Sequence, residues 1–328
     1  MTSSAAGGAN GLEGRRILVT GGSGFIGRHV VADLSSAGAH VRVVDLQPHP
    51  DPAVDLVQGD ITTPEVLESA VDGGVDGVVH LAAVTSVLKS VEHPVLTHRT
   101  NVEGTAMVLE AARHAGARSL VFASTNAVAG PMRGAAITEA EVLQPLTPYG
   151  ATKAAGEMLM SAYTAVYDLR CVPLRLTNVY GPGMQAKDSI VARLMRAIRL
   201  RTTFEIYGDG TQVRDYVHAA DVTAAVKLGL QDERWAGPTV IGAGRSLSVL
   251  EVIDAVRQAT GAEIDVGHGP ARPGEMPAVI VDPSVAQGAG WVPQYARFED
   301  GLPGVWEEWS AIDLDAVASG VGTVGAPR

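Results

Sequence analysis

Cysteine, positive charge and long apolar runs are all scarce in this sequence, and each scarcity excludes a class of protein. The only cysteine among 328 residues is Cys171, so an intrachain disulfide and a cysteine-based metal cluster are both excluded. Lysine and arginine number 25 against 36 acidic residues, a net charge of −11. Such a chain has no general basic surface for nucleic acid or an anionic membrane, so we expect local arginines to bind any anionic ligand.

Apolar segments are short throughout the chain. The amino terminus lacks the apolar core of a signal peptide, and no stretch approaches the ~20 apolar residues of a membrane span. Together with the single cysteine, this predicts a cytoplasmic protein with no membrane partner. We expect residues 1–14 to form a flexible lead and residues 313–328, which carry little charge, a flexible tail.

What the chain does have is a regular alternation of strand-like and helix-like segments from Arg15 onward. Short runs rich in β-branched residues predict strands at Ile17–Thr20, Val41–Asp45, Gly77–Leu81, Leu120–Ser124 and Val172–Leu176. The first segment between them has apolar residues at helical spacing and ends at Gly38, a suitable C-terminal cap. The alternation predicts an α/β fold with a doubly wound parallel sheet of the Rossmann type.

A glycine-rich turn follows the first predicted strand and precedes the first helix. Gly21 permits a tight turn, Gly24 lets a pyrophosphate approach the backbone, and Gly27 allows close packing of helix on strand. The second strand ends in Asp45, about 20 residues further on, where a carboxylate binds ribose hydroxyls and repels a 2′-phosphate. The pair of features predicts NAD, rather than NADP, as the cofactor.

The pattern changes after Pro182 to helices separated by turns rich in glycine and proline. We therefore predict an NAD-binding domain over 15–178 and a smaller α/β substrate-binding lobe mainly over 179–312. Later segments near 214–242 and 279–282 are expected to return to the first domain, because Thr239–Ile241 and Val279–Asp282 are strand-like.

Three hydroxyl- or amine-bearing residues suggest a centre for proton transfer. Tyr149 and Lys153 are four apart at the start of a predicted helix, so their side chains share one face. An ammonium near the phenol, with an oxidised nicotinamide close by, is expected to lower the pKa of Tyr149 from about 10 toward neutral. Thr125 ends a predicted parallel strand, the edge where open α/β sheets bind ligands, and its hydroxyl can share the reacting proton.

These residues together resemble the extended short-chain dehydrogenase/reductases, specifically the NAD-dependent sugar-nucleotide epimerase/dehydratase family. The resemblance covers about Arg15 to Trp309 and rests on these motifs: Gly21-Gly22-Ser23-Gly24-Phe25-Ile26-Gly27, Asp60-Ile61, His80-Leu81-Ala82-Ala83, Asn101, Ser124-Thr125 and the Tyr149/Lys153 pair. It implies that Thr125, Tyr149 and Lys153 are catalytic and that Thr125 also binds the substrate. Tyr149 and Lys153 are also expected to contact NAD, with Lys153 holding the nicotinamide ribose.

The resemblance also implies further contacts to NAD. Phe25 and Ile26 belong to the glycine fingerprint, Asp60 and Ile61 are expected to flank the adenine, and the other contacts are Leu81, Ala82, Ala83 and Asn101. A histidine in an apolar strand is usually a core residue with its hydrogen bonds satisfied, so His80 is given no catalytic role.

The same resemblance implies a nucleotide-diphosphate sugar as substrate and a homodimer as the assembly. Asn178 matches the asparagine that meets the phosphates, and Arg214 and Arg272 lie in the two stretches that match diphosphate-binding motifs. Paired guanidinium hydrogen bonds suit a diphosphate. Asp215, His218 and Asp221 are expected to be structural. In the family, two helices from each subunit form the dimer interface, here near Asn101–Ala115 and Lys153–Tyr167.

Members of the family share oxidation of a sugar hydroxyl and differ in the step that follows. Dehydratases carry an Asp-Glu pair directly after the catalytic threonine, whereas this chain has Asn126 and Ala127. A 4-epimerase, with a UDP-sugar as the favoured substrate, is therefore the leading prediction. A net dehydrogenase or ketoreductase, a dehydratase and a non-catalytic NAD-binding protein are the alternatives. Ala129 stands where the family usually has tyrosine, which predicts a wider sugar pocket.

Overall fold

The computed structural model describes residues 11–271 and 278–313, so the lead over 1–10 and the tail over 314–328 lie outside the described residues. The strands, in chain order, are β1 (Arg16–Thr20), β2 (His40–Asp45), β3 (Asp55–Gln58), β4 (Gly77–His80), β5 (Ser119–Thr125), β6 (Arg170–Leu176), β7 (Asn178–Tyr180), β8 (Phe204–Tyr207), β9 (Val213–His218), β10 (Thr239–Ile241), β11 (Ser246–Ser248) and β12 (Val266–Gly269). The helices are α1 (Phe25–Ser36), α2 (Pro64–Ala70), α3 (Val87–Glu92), α4 (Pro94–His98), α5 (Gly104–His114), α6 (Pro148–Tyr167), α7 (Ile190–Leu200), α8 (Ala219–Gln231), α9 (Val249–Thr260), α10 (Ser284–Gly288) and α11 (Phe298–Ala311). None of the helices in this part of the chain has the length and apolar character to span a membrane.

Within the described ranges, seven parallel strands form the main sheet in the order β10-β6-β5-β4-β1-β2-β3. Their valine and isoleucine content suits strands that are buried on both faces. The chain winds outward from β1 to β3, then returns to β4 and winds the other way, so the strand order reverses between β1 and β4. Ligands of such sheets bind at the carboxyl ends of the strands beside this switch point. The predicted doubly wound fold is confirmed.

Two apolar layers cover the sheet. One contains Val30, Val31 and Leu34 of α1 and Val222 and Val226 of α8. The other holds side chains of α2, α5 and α6, among them Leu67, Val108, Leu109 and Met160. The helix-period stripe of α1 thus faces the sheet, and the helix ends as predicted, since Gly38 adopts a positive φ of 85°.

A separate apolar cluster organises the smaller lobe. It joins α7, α9 and α11 to β8 through buried residues that include Leu194, Ile253, Phe204, Leu302 and Trp309. Beside it, β11, β9 and β7 form a three-stranded sheet, and β12 pairs with β8. The lobe therefore has a core of its own, which lies beside the carboxyl ends of the main strands because β7 follows β6 directly.

Three details of the fold differ from the sequence prediction. The strand β3 was not predicted, because its short sequence Asp-Leu-Val-Gln carries polar residues at both ends. Thr239–Ile241 joins the main sheet as expected, whereas the 279–282 segment does not and instead forms a bridge between Val281 and Ile137. Leu12, within the lead expected to be flexible, is buried in the core.

Candidate active site

The glycine turn between β1 and α1 is closely packed against the sheet and open on its outer side. Gly21 has a φ of 75°, and a Cβ there would lie 2.6 Å from the Ala82 amide nitrogen. A Cβ at Gly24 would meet only the Gly21 carbonyl oxygen, at 3.3 Å, so this position is open on its outer side. Gly24 is also the N-cap of α1, whose first-turn amides have no intrahelical partner. The turn therefore has the geometry of a cradle for a pyrophosphate, and its contact with NAD stays a prediction.

Asp45 lies against this turn at the end of β2. One carboxylate oxygen, Oδ2, accepts a hydrogen bond from the Ser23 amide at 3.0 Å, and Oδ1 accepts from the Gln47 amide at 2.9 Å. These two bonds fix the carboxylate beside the glycine cradle while leaving acceptor capacity for a ribose diol. The glycine cradle and this acidic side chain fit a dinucleotide with a free 2′-hydroxyl, which is NAD.

The other residues expected to contact NAD lie around the same edge of the main sheet, and they differ in how far they are buried. Leu81, Ala82 and Ala83 follow β4 and are partly exposed; the amides of Leu81 and Ala82 are tied to the backbone and side-chain oxygens of Thr20. Phe25 packs against the apolar cluster of the smaller lobe, and Ile26 packs against the layer that contains α1 and α8. These positions leave the loop after β4 facing the cradle.

Asp60 and Ile61 follow β3, and their side chains are engaged within the protein. Asp60 Oδ1 accepts hydrogen bonds from the amide and hydroxyl of Thr62, which forms a local turn. Ile61 is 4% exposed and belongs to the apolar cluster under α2 and α5. A contact of Ile61 with adenine would therefore use its backbone rather than its side chain.

Asn101 is buried and makes hydrogen bonds to two other elements. Its amide group binds both backbone polar atoms of Val84, and its Nδ2 also donates to Thr152 Oγ1 at 3.0 Å. It lies in a π-helical turn over Arg99–Glu103, ahead of α5. Asn101 therefore connects the loop after β4 to α6. Its contact with NAD stays a prediction.

The candidate catalytic residues meet at the carboxyl end of β5. Thr125 ends that strand and is 8% exposed, and its side chain forms a hydrogen bond with the Tyr149 phenol. Lys153 is 2% exposed, and its Nζ lies 4.4 Å from the centroid of the Phe122 ring. The proposed proton-transfer groups are therefore brought together as the sequence predicts.

The helix that carries Tyr149 and Lys153 is firmly capped at its start. Thr147 is the N-cap and accepts a hydrogen bond from the Gly150 amide at 3.1 Å, and Pro148 occupies the first helical position. The Tyr149 amide donates to Ser90 Oγ at 3.2 Å, and Ser90 is fully buried. Orphan donors of the helix start are thereby satisfied, which fixes the phenol's point of attachment.

The prediction that neighbouring groups lower the pKa of Tyr149 is wrong as far as the protein's own side chains are concerned. Burial raises the pKa of Tyr149 to about 12, although the hydrogen bond with Thr125 acts in the opposite direction. Burial also lowers the pKa of Lys153 to about 7. Desolvation outweighs the neighbouring groups, so a phenolate at neutral pH requires a positive charge beyond those the protein supplies here.

His80 is a satisfied core residue, as the sequence predicts. Its Nδ1 lies 2.7 Å from Thr20 Oγ1 and its Nε2 lies 2.9 Å from Thr105 Oγ1, while the ring stacks on Phe122. Burial and the nearby Lys153 lower the pKa of His80 to about 3. The imidazole is therefore neutral and structural.

The expected substrate contacts lie in the small three-stranded sheet. Asn178 begins β7 and is exposed, and its Nδ2 donates to the Asp215 carbonyl oxygen at 2.9 Å. Arg214 lies on the neighbouring β9, is partly exposed, and donates to the Val213 carbonyl oxygen at 2.8 Å. Arg272 lies outside the described residues. The strand pairing thus brings Asn178 and Arg214 to the same lobe.

Asp215, His218 and Asp221 have structural contacts, in agreement with the sequence prediction. Asp215 is fully buried and accepts hydrogen bonds from Thr177 Oγ1 and the Ala243 amide. His218 caps α8, and Asp221 accepts from the backbone amides at 294 and 295.

The predicted widening of the pocket at Ala129 is wrong. Ala129 is 3% exposed and packs in a small apolar cluster with Ile137, Val240, Val279 and Val281. Side chains from other segments therefore fill the space around this alanine, and it does not line an open cleft.

The sequence analysis missed three residues that support the site: Ser90, Glu157 and Arg175. Ser90 bonds the start of α6, and Glu157 pairs with Arg175 behind the catalytic strand. The spacing of Glu157, four residues after Lys153, was the one available signal. It places Glu157 on the same face of the helix as Lys153.

Comparison with known proteins agrees with this arrangement. The sequence profile of the NAD dependent epimerase/dehydratase family matches residues 17–242. The UDP-glucose 4-epimerase of Azospirillum brasilense is 32% identical over 337 residues, with 95% of each chain covered. The solved UDP-glucose 4-epimerase of Thermus thermophilus, in complex with NAD, has a TM-score of 0.85 and 34% identity over 91% of this chain and 100% of that one. MoeE5 in complex with UDP-glucuronic acid and NAD has a TM-score of 0.82 and 34% identity over 90% and 98%.

The chain therefore belongs to the NAD dependent epimerase/dehydratase family. This membership confirms the family expected from the motifs, and with it NAD as the cofactor. The likeness extends over nearly the whole chain, so it includes the smaller lobe as well as the NAD-binding sheet.

Proposed function

We propose that this chain is an NAD-dependent 4-epimerase of UDP-sugars. The observation that carries the proposal is the hydrogen-bonded Thr125–Tyr149 pair, with Lys153 one helical turn away, at the sheet edge that also holds the glycine cradle. Relatives named UDP-glucose 4-epimerase support the choice of reaction. The roles of the individual residues in this reaction are part of the proposal.

In this mechanism Tyr149 moves the proton and Thr125 directs it. Bound NAD supplies the acceptor, and later the donor, for the hydrogen on sugar carbon C4. Tyr149 Oη takes the proton of the 4-hydroxyl as the C4–O bond becomes a ketone, and Thr125 Oγ1 holds that oxygen. Once the keto sugar presents its other face, Tyr149 returns the proton and the inverted alcohol forms. Lys153 binds the nicotinamide ribose and favours the ionised phenol.

The residues after Thr125 favour epimerisation over dehydration. Elimination of water requires an acid and a base on neighbouring carbons, but Asn126 and Ala127 supply an amide and a methyl group. The nearby Glu157 is buried in an ion pair with Arg175 and is a hydrogen-bond partner of Ser124, so it is engaged behind the strand. The keto intermediate is therefore expected to be reduced again rather than dehydrated.

The diphosphate of the substrate would be bound in the smaller lobe. Arg214 and Asn178 on adjacent strands are the proposed contacts, with Arg272 of the second diphosphate-like stretch completing the set. This arrangement puts binding energy on a part of the substrate that does not react.

The test is a panel of UDP-sugars incubated with the protein and followed by proton NMR, with no NAD added beyond what copurifies. We expect inversion at C4 of at least one member, such as UDP-glucose, its N-acetylamino form or UDP-glucuronate. Turnover that consumes NAD stoichiometrically would identify a net dehydrogenase, and loss of water would identify a dehydratase; either result contradicts the proposal.

We also propose that the protein is a homodimer. Apolar side chains are unusually exposed on α3, α4 and α6, which pack together: Leu88 is 57%, Val95 82%, Met158 60% and Val166 68% exposed. The surface extends the helix pair expected from the sequence to include α3 and α4. Light scattering at micromolar concentration should give twice the mass of the 34.0 kDa chain. If the wild type has the mass of a monomer, and Met158→Asp has the same mass, this assembly is rejected.

We also propose that the protein is cytoplasmic. Cys171 is buried as a free thiol, and burial raises its pKa to about 11, so it stays unreactive. The single thiol is compatible with a reducing compartment. Fractionation of the native host should find the protein with soluble cytoplasmic enzymes, and recovery with membranes would contradict the assignment.

A further inference from the structure

A buried ion pair lies directly behind the catalytic strand. The side chains of Glu157 and Arg175 are each 3% exposed, and Arg175 Nη2 lies 2.8 Å from Glu157 Oε2. Arg175 Nε donates to both carboxylate oxygens, and Ser124 Oγ donates to Oε1. Because both ions lose their hydration, a well-packed apolar pair often gives equal or greater stability. The pair therefore calls for an explanation other than stability.

The three residues connect the two elements that carry the catalytic groups. Ser124 directly precedes Thr125 at the end of β5, and Glu157 lies one turn after Lys153 on α6. Arg175 is the register partner of Ser124 on the neighbouring β6. One carboxylate thus fixes the end of the strand that bears Thr125 against the helix that bears Tyr149 and Lys153.

The same network reaches the loop that follows the catalytic strand. Arg175 Nη1 donates to the carbonyl oxygens of Thr138 and Glu139 at 3.3 and 3.1 Å. Glu139 Oε1 in turn accepts from the Val240 amide at 2.8 Å. Every nitrogen of the Arg175 guanidinium is therefore a donor in this network, and the bonds together set the spacing of β5, β6, α6 and this loop.

We propose that Ser124, Glu157 and Arg175 are positioning residues, which hold Thr125 and the Tyr149/Lys153 helix at the separation that proton transfer requires. This inference rests on the catalytic roles proposed above. None of the three residues needs to touch the substrate. Their effect is on the turnover step, because a small displacement of reacting groups lowers the rate more than it lowers binding.

The two charges of the network neutralise each other within the ion pair. Lys153 on the same helix lies near His80 of β4 and the Phe122 ring, and burial lowers the pKa of both Lys153 and His80. Removing only the carboxylate would leave the Arg175 cation buried and without its counter-ion behind β5, which strains the spacing of β5, β6 and α6.

The experiment compares Ser124→Ala, Glu157→Gln and the double variant Glu157→Gln/Arg175→Met in the NAD-loaded enzyme. We expect kcat to fall about 10- to 100-fold in Glu157→Gln and about 3- to 10-fold in Ser124→Ala, with KM within about 3-fold of wild type. In the double variant, which removes both charges, kcat should stay at least about 5-fold low, because the bonds that join α6 to β5 and to the loop at 138 and 139 are lost.

The matched control is Asp221→Asn, which changes another buried carboxylate whose hydrogen bonds go to backbone amides at 294 and 295 and not to β5 or α6. It should lower the melting temperature without moving kcat. Should Glu157→Gln fail to fold, Ser124→Ala and the charge-free double variant still carry the test. Wild-type kcat in either of these two would overturn the inference. If Tyr149→Phe were also fully active, the proposed function itself would fail.

Discussion

The two ends of the candidate site are built differently. At the catalytic end, Lys153 is 2% and Thr125 8% exposed, and buried partners fix the elements that carry them. At the substrate end, Asn178 is exposed and Arg214 partly so, on a small sheet at the edge of a separate lobe. The difference indicates a division of labour. The groups proposed to exchange protons are buried on elements with fixed partners, whereas the groups proposed to bind phosphates are accessible from solvent.

Tyr149→Phe should break the catalytic end most completely. Removal of the phenol oxygen eliminates the proposed acid and base, so kcat should fall about 10²- to 10⁴-fold. The cofactor contacts at the glycine turn do not involve this hydroxyl. NAD content, measured in the protein after release by acid, should therefore equal that of wild type. A kcat within about 10-fold of wild type would contradict the assignment.

Lys153→Met should inactivate the enzyme and stabilise it. Because burial lowers the pKa of Lys153 from 10.5 to about 7, the unfolded state binds the extra proton between these pH values, and the wild type gains stability as pH rises. The variant should thus be more stable by about 1–3 kcal/mol below pH 7, with the advantage fading toward pH 10.5. Urea unfolding at several pH values measures it. A destabilised variant at pH 6 would show that the buried ammonium is compensated.

Arg214→Ala, at the substrate end, should weaken substrate binding rather than slow turnover. Loss of charge-assisted hydrogen bonds to a diphosphate should raise KM about 10- to 100-fold and change kcat less. Arg214→Lys keeps the charge but not the paired geometry, so an intermediate KM is expected. Equal losses of kcat in both variants, at unchanged KM, would place Arg214 in the turnover step instead.

Asn178→Ala is the mildest of these changes. Its side chain is exposed and already donates one hydrogen bond to Asp215, so one neutral contact to the substrate is at stake. We expect KM to rise about 3- to 10-fold. Isothermal titration with UDP should show a similar loss of affinity. An unaltered affinity for UDP would remove Asn178 from the substrate contacts.

Much of the fold was predictable because it depends on local patterns. Valine-rich runs such as Val41–Asp45 and the glycine turn carry their own signals, and the alternation of strands with helices predicts parallel strands joined by crossovers. The strand β3 was not predicted because it is short and has polar residues at both ends. Thr125, Tyr149 and Lys153 could be proposed as catalytic residues because short motifs contain them, namely the Tyr149/Lys153 spacing and the end of the predicted strand at Thr125.

The supports of the site were not predictable in this way. Ser90 meets Tyr149 across 59 positions, and the pairing of Glu157 with Arg175 depends on two elements packing together. The raised pKa of Tyr149 likewise follows from burial, which the sequence does not report. Ala129 is a similar case, because most of its apolar neighbours come from segments far along the chain.

The most direct test of the account follows the hydrogen on C4 itself. A UDP-sugar that inverts in the panel is prepared with deuterium at C4 and incubated in ordinary water with no added NAD. We predict inversion with the deuterium retained at C4 of the product, since the same hydrogen leaves and returns within the closed site. Loss of the label to water, or a requirement for added NAD in each turnover, would contradict the account.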